Sequence, residues 1–265
     1  MKVAVTGGSG FVGEILCKKL LKKGYHVSVV DVVEPSFVRE KNVHYLNVDL
    51  LKKVDVENSF KNIDMVYHLA GVVLKGMKND PYFGMNLNVM GTMNVLESCL
   101  NNSINKIMIA SSFYVYDSVK KINNVDESTE LNILKSDFFG ASKIIDELIT
   151  KRYAQIHDLK YNIFRFGSIY GPGKASNSIR KFLTNSILKK ETEIWGNGIR
   201  KNQFTFVDDI ADGCIIPLEK DIWNETFNLV SPEITTTKEL ADLVEQKYGG
   251  VFTYNLDKPE GKSFV

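Results

Sequence analysis

MKVAVTGGSGFVG, residues Met1 to Gly13, is the stretch whose reading decides the fold. Val3-Ala4-Val5 is a short apolar run suited to a parallel strand buried on both faces. It leads into Thr6-Gly7-Gly8-Ser9-Gly10-Phe11-Val12-Gly13 and then into an amphipathic pattern carrying Ile15, Leu16, Leu20 and Leu21. Strand, glycine-rich turn and helix together seat a pyrophosphate, because free backbone N–H groups and the helix dipole both favour an anion at the helix start. In that arrangement Gly7 permits the tight turn, Gly10 leaves room for phosphate, and Gly13 lets the helix pack close to the strand.

The surrounding sequence supplies the context such a turn needs. A second apolar run, Val27 to Val30, ends in Asp31, where a carboxylate would hold the ribose diol of NAD. No basic residue follows until Arg39, so a 2′-phosphate has no evident partner, which favours NAD over NADP.

The chain has 265 residues, 44% of them hydrophobic, and a net charge of +1, which suits one large α/β domain with a smaller appendage. No clustered basic face points to nucleic acid. No apolar run approaches the roughly 18 residues of a membrane span, and Lys2 passes directly into the first strand, leaving no room for a leader. Cys17, Cys99 and Cys214 lie far apart in helical patterns and read as buried, reduced thiols of a cytoplasmic protein. The 4 histidines form no metal-ligand pattern.

Further strands are expected at 43–48, 64–71, 106–110 and 161–166. Long helices are expected from Pro81 to about Leu100 and from about Asp137 to His157, with a polar loop at 117–135. The alternation predicts a Rossmann-type, doubly wound parallel sheet with helices on both faces, spanning residues 1–170. After Gly171-Pro172-Gly173 shorter elements follow: a helix from Ser176 to Leu188, strands near Ile194 and at 204–206, a helix capped by Asp208 or Asp209, a strand at 226–229, a helix at 237–248 and a strand at 251–254. Residues 171–265 read as a small substrate-binding lobe interleaved with the first domain.

Several ordered motifs make the chain resemble the extended short-chain dehydrogenase/reductase family, in its nucleotide-sugar epimerase/dehydratase branch. Thr6 to Gly13 matches TGxxGxxG, and Asp31 the ribose-binding acid. Asp49-Leu50 matches the pair that reaches the adenine, and His68-Leu69-Ala70-Gly71 resembles HLAA beside the cofactor. Asn88 to Thr92 resembles NVxGT, Ser111 to Tyr116 resembles SSxxVYG, Arg165 to Pro172 resembles RxxNxYGP, and Phe206 to Ala211 resembles YVDDxA. The resemblance implies NAD bound by Gly7, Gly10, Phe11, Val12, Gly13, Asp31, Asp49, Leu50, Leu69, Ala70, Gly71, Asn88 and Lys143. It also implies a homodimer through the two long helices.

Family members oxidise or reduce a sugar hydroxyl with NAD through a Tyr-x-x-x-Lys pair. That spacing puts both side chains on one helix face, and the ammonium lowers the pKa of the phenol so that it can act as base. Ser112 is the hydroxyl expected to assist, and Lys143 matches the lysine. Phe139 stands where the tyrosine belongs. Three explanations remain open: an engineered removal of one oxygen, a natural member without this activity, or another acid/base, for which Tyr114 is nearest in sequence. Dehydratases follow the Ser/Thr with Asp-Glu; Phe113 and Tyr114 occupy those positions, which argues against elimination of water. Epimerisation at a sugar carbon, most simply C4, fits a recycled NAD. A sugar ketoreductase or dehydrogenase, or a non-catalytic NAD-binding protein, is the alternative.

On the substrate side, the resemblance implies a nucleotide sugar held by Ser112, Ser168, Arg200, Asn202 and Lys258. Ser168 replaces the usual asparagine, and Asn202-Gln203 the usual Arg-Asp; Arg200 or Lys201 could supply the charge instead. Lys258-Pro259-Glu260-Gly261 resembles a later RPGD-like turn, with a lysine that lacks the bidentate fork. Relatives continue past this turn with helices that close the lobe, so a shortened chain or a compact variant, with a less closed substrate side, is expected. Arg165 reads equally as a structural ion-pair residue or a ligand contact, and His68 as a structural histidine.

Overall fold

The computed structural model describes residues 1–118, 125–173, 177–261 and 263. The chain begins with β1 (Lys2–Thr6), α1 (Phe11–Lys22), β2 (His26–Asp31), β3 (Val43–Asn47), α2 (Lys53–Ser59) and β4 (Met65–His68). It continues through α3 (Leu74–Asn79), α4 (Pro81–Met85), a π-helical turn (Asn86–Met90), α5 (Gly91–Asn101), β5 (Lys106–Ser112), a 3₁₀ turn (Phe113–Ser118), a second 3₁₀ turn (Ile133–Lys135) and α6 (Phe138–His157). Then come β6 (Lys160–Phe166), β7 (Ser168–Tyr170), α7 (Ser178–Ile187), β8 (Glu191–Trp195), β9 (Lys201–Asn202), β10 (Phe204–Phe206) and α8 (Val207–Glu219). The last elements are β11 (Glu225–Leu229), β12 (Thr235–Thr236), α9 (Thr237–Tyr248) and β13 (Val251–Asn255).

Seven parallel strands form one sheet in the order β11-β6-β5-β4-β1-β2-β3. Alternation along β1 sends Val3 and Val5 to one face and Ala4 to the other. On the first face they pack with Leu16 and Leu20 of α1 and Ile210 of α8. On the second, Val66, Ile107 and Ile109 pack with Val95 and Leu96 of α5. Strand order reverses between β1 and β4, and in such sheets the crevice beyond the strand ends at that point takes the ligand. The smaller C-terminal lobe has its own core of Phe182, Ile194, Leu240, Ala241 and Val244, while β11 returns to the edge of the large sheet.

The helix expected from Pro81 to Leu100 starts as expected, with Asp80 accepting the Phe83 N–H at 2.9 Å. It is interrupted at Asn86–Met90 by the π turn, which is not visible in hydrophobic spacing. Asp208 and Asp209 do not cap α8. Strand β10 runs into the helix without a loop, so Phe206 takes the N-cap position and both aspartates fall in the first turn. There they complement the helix dipole, and Asp208 also lies 3.2 Å from the Lys19 ammonium of α1. Ser176, the expected start of α7, and residues 119–124 of the polar loop lie outside the described residues. Among the described residues no helix is long and apolar enough to cross a membrane, and no three His, Cys, Asp or Glu side chains gather as a metal site.

Candidate active site

A cavity of about 530 Å³ opens beyond the strand ends and joins the glycine turn to the C-terminal lobe. At one end lie Gly7, Gly10, Phe11, Val12 and Gly13. Among the described residues no side chain caps α1, and its first intrahelical bond is from Glu14 N–H to the Gly10 carbonyl at 2.9 Å. The amides of Phe11, Val12 and Gly13 therefore precede the ladder, as anion-binding donors do. The packing leaves no room for side chains: a Cβ on Gly13 would lie 2.2 Å from the Gly7 carbonyl oxygen. Gly7, at φ +70°, would bring a Cβ to 2.7 Å from the Ala70 nitrogen. Asp31 ends β2 and accepts the Ser9 N–H at 3.1 Å and the Val33 N–H at 3.0 Å, which fixes its carboxylate beside the turn. Orphan amides, a backbone cradle and an adjacent carboxylate fit a dinucleotide.

Ser112, Phe139 and Lys143 share the wall of the same cavity with Leu69 and Gly71. Ser112 ends β5, and its Oγ accepts the Tyr114 N–H at 3.2 Å. Phe139 and Lys143 lie one turn apart on α6, whose start is capped by Asp137 accepting the Gly140 N–H at 2.8 Å. The Lys143 ammonium is 3.1 Å from Asp146 Oδ2, a fully buried carboxylate. Burial pushes the Asp146 carboxyl up, with Lys143 opposing. The ring of Tyr114 meets that of Phe139 edge-on, 5.6 Å between centroids and 65° between planes. Burial pushes the Tyr114 phenol up, and the nearby Arg200 guanidinium opposes it.

Ser168, Arg200, Lys201 and Asn202 line the lobe end. Arg200 Nε is buried with no hydrogen-bond partner among the described residues, an orphan donor at a site open to an anion. Six expected contacts lie off the cavity wall. Asp31 and Ala70 border the glycine turn as described. Asp49 accepts the Leu51 N–H at 3.0 Å, and Leu50 is buried in the core beside α5. Asn88, 1% exposed in the π turn, donates to the Val72 carbonyl and Ser142 Oγ and accepts the Val72 N–H at 2.7 Å; it ties the β4 exit to α6. Lys258 pairs with Glu193 at 2.7 Å, over the Trp195 ring.

Two further side chains resolve into structural roles. The buried Arg165 makes a bidentate pair with Glu147 of α6, at 2.9 and 2.8 Å, and reaches the Tyr116 hydroxyl at 2.6 Å. Ser111 donates to the same carboxylate at 2.6 Å. His68 bridges Thr6 and Thr92 at 2.7 and 2.9 Å, and burial followed by Lys143 lowers its imidazole to about 3. Sequence reasoning passed over Val73 and Leu74, which line the cavity from the start of α3. Their only trace is an apolar pair after the glycine exit of β4. It also passed over Asp146, which nothing short of the i,i+3 spacing from Lys143 marks out.

The model of the NAD dependent epimerase/dehydratase family matches residues 3–229. The UDP-glucuronate 4-epimerase of Thermodesulfobacterium geofontis is 27% identical over 243 residues, covering 85% of this chain and 73% of that protein. The crystal structure of the Bacillus cereus UDP-glucuronic acid 4-epimerase, solved with UDP-glucuronic acid and NAD, superposes with a TM-score of 0.87 at 26% identity and covers all of this chain and 87% of that one. The Thermotoga maritima UDP-glucose 4-epimerase, solved with UDP-glucose, shares the fold with a TM-score of 0.89 at 24% identity, covering all of this chain and 89% of that one.

Proposed function

The chain belongs to the NAD dependent epimerase/dehydratase family, and from that premise we propose that it epimerises a nucleotide-activated sugar at C4 by transient oxidation and re-reduction. NAD is its cofactor, and when bound supplies a hydride acceptor that later returns the hydride. The glycine turn and the first amides of α1 receive the pyrophosphate, and Asp31 the ribose. Lys143 lines the cavity and would hold the nicotinamide ribose. Arg200, with its orphan Nε, takes the diphosphate of the sugar nucleotide, and Ser168 and Asn202 contact the remainder. Ser112 hydrogen-bonds the reacting oxygen.

The observation that carries this reading is that Ser112, Phe139 and Lys143 line the same cavity as the glycine turn and Arg200. Phe139 preserves the shape of the site and lacks the phenolic oxygen. The test compares the chain with Phe139→Tyr, each incubated with NAD and a panel of UDP-, dTDP- and GDP-sugars, with inversion at C4 followed by NMR. A gain of about 10²–10⁴ in rate is expected from restoring a positioned acid/base. If both forms bind NAD and invert nothing, epimerisation is refuted. A stoichiometric NADH signal with a keto-sugar would then make it a ketoreductase, and silence a binding protein.

We also propose a homodimer through α4, the π turn, α5 and α6. Tyr82 is 84% and Phe138 60% exposed there, beside an apolar groove that includes Met85, Val89 and Ile145. Light scattering that reports a monomer at micromolar concentration would refute it.

A further inference from the structure

We infer that Tyr114 is a catalytic residue of this chain: its phenol, which lines the same cavity as Arg200 and Phe139, takes and returns the proton of the reacting sugar hydroxyl in place of the oxygen missing at position 139. The inference rests on the epimerase reading above and deepens it.

The cavity wall offers few groups able to move a proton. Ser111 is committed to Glu147 at 2.6 Å, and the Lys143 ammonium to Asp146 at 3.1 Å. An arginine cannot be deprotonated in a protein, and Ser112 or Ser168 would each need a base of its own. Lys201 is exposed, on a strand of the lobe. Tyr114 is the phenol among the residues lining the cavity. Its ring meets that of Phe139 edge-on, 5.6 Å between centroids, and both residues line the same cavity.

The residue is also held in place. Its N–H donates to Ser112 Oγ at 3.2 Å, which ties it to the serine expected at the reacting oxygen. Its carbonyl sits where a Cβ on Gly140 would come within 2.8 Å, so the 3₁₀ turn is pressed against the start of α6. Proton transfer needs placement of this kind before it needs a matched pKa.

The charges around the phenol are mixed. Burial pushes it up; the Arg200 guanidinium from the segment before β9 opposes this; Asp137 at the α6 N-cap and Asp117 in the 3₁₀ turn push it up further. Lys143 shares the cavity. In the oxidation half the hydroxyl proton passes to the Tyr114 phenolate, and in the reduction half the phenol gives it back; bound NAD would supply the matching hydride acceptor and donor. The resting phenol must ionise first, so turnover rises with pH.

Four forms decide the matter: the chain itself, Tyr114→Phe, Phe139→Tyr, and both substitutions together. Tyr114→Phe alone is expected to lower C4 inversion by about 10² or more, with NAD affinity unchanged. In the Phe139→Tyr background the same substitution should cost at most a few-fold, which a merely structural tyrosine would not permit. The chain itself should gain about tenfold per pH unit between about pH 7 and 9, a slope lost in Tyr114→Phe. Independently of turnover, the tyrosinate absorbance of the chain minus that of Tyr114→Phe should titrate above the ordinary tyrosine range, and higher still in Arg200→Gln. If Phe139→Tyr inverts sugars while Tyr114→Phe leaves the slow rate of the chain unchanged, or if that rate is nil, the assignment to Tyr114 is overturned and the epimerase reading survives. If Phe139→Tyr is inert as well, both fall together.

Discussion

The glycine turn at residues 6–13 and the first turns of α6 line one cavity but are built from different materials. The turn is made of backbone: orphan amides of Phe11, Val12 and Gly13, and close approaches that exclude a Cβ at Gly7 and Gly13. The start of α6 is made of side chains: Phe139 and Glu147 meet Tyr114 and Arg165 from other elements, and Lys143 and Asp146 pair with each other along the helix. A backbone site fails by steric intrusion. A side-chain site depends on single atoms, and Phe139 carries no exchangeable proton on the cavity wall it helps to form.

The sharpest way to break the second region is to remove what anchors it. Glu147 joins α6 to β5 through Ser111 and to β6 through Arg165. Glu147→Ala leaves a buried guanidinium unpaired, and urea unfolding should show a loss of about 3–5 kcal/mol. A loss below about 1 kcal/mol would mean that water replaces the carboxylate and that the network does not position the helix.

Between the two regions stands His68, bonded to Thr6 of β1 and Thr92 of α5. Its folded imidazole titrates at about 3, and an unfolded histidine near ~6.5. Between these values the unfolded chain holds the extra proton, so the neutral imidazole contributes full stability above the unfolded value and less as pH falls. At about 1.36 kcal/mol per unit, the cost reaches about 2–3 kcal/mol by about pH 4.5. Urea midpoints of the chain and of His68→Gln across that range measure it. Parallel pH curves for the two would show that His68 does not carry the acid sensitivity.

In the backbone region the corresponding change is Gly13→Ala. A Cβ 2.2 Å from the Gly7 carbonyl oxygen forces α1 or the turn to move. The expected cost is about 1–3 kcal/mol in stability, from overpacking, with weaker NAD binding by calorimetry. Unchanged NAD affinity would mean that the amides do not hold the pyrophosphate.

How much of each region was legible in the sequence follows from the same contrast. A glycine at 7, 10 or 13 states a backbone requirement by its identity, so fold and cofactor end were readable. Lys143 was readable from its spacing to position 139. Asn88 was not: it projects from a π turn, and the apolar period on either side runs on as if the helix were regular. Arg165 was ambiguous, because a buried arginine at a strand end serves an anion or a carboxylate equally well until Glu147 is seen opposite it. The Asp208–Asp209 pair reads as a cap only if a loop precedes it, and β10 supplies none.

The lobe end gives the smallest and most selective prediction. Both Lys258 and Arg200 were expected at the substrate, and the fold separates them. Arg200 lines the cavity with a buried Nε that lacks a partner. Lys258 is spent on Glu193 and stacked over Trp195, off the cavity wall. Arg200→Gln removes a charge-assisted donor, worth about 1.5–3 kcal/mol, and should weaken binding of whichever nucleoside diphosphate the sugar panel selects by about 10–100-fold. Lys258→Ala should change it by less than about twofold, because the ammonium already has a carboxylate and a surface pair contributes little beyond itself. Calorimetry with that nucleoside diphosphate on both variants separates the cases. A tenfold loss at Lys258 would mean that the lobe rearranges on binding and brings the 258–261 turn to the diphosphate, and the substrate end would then be built by movement rather than by the packing described above.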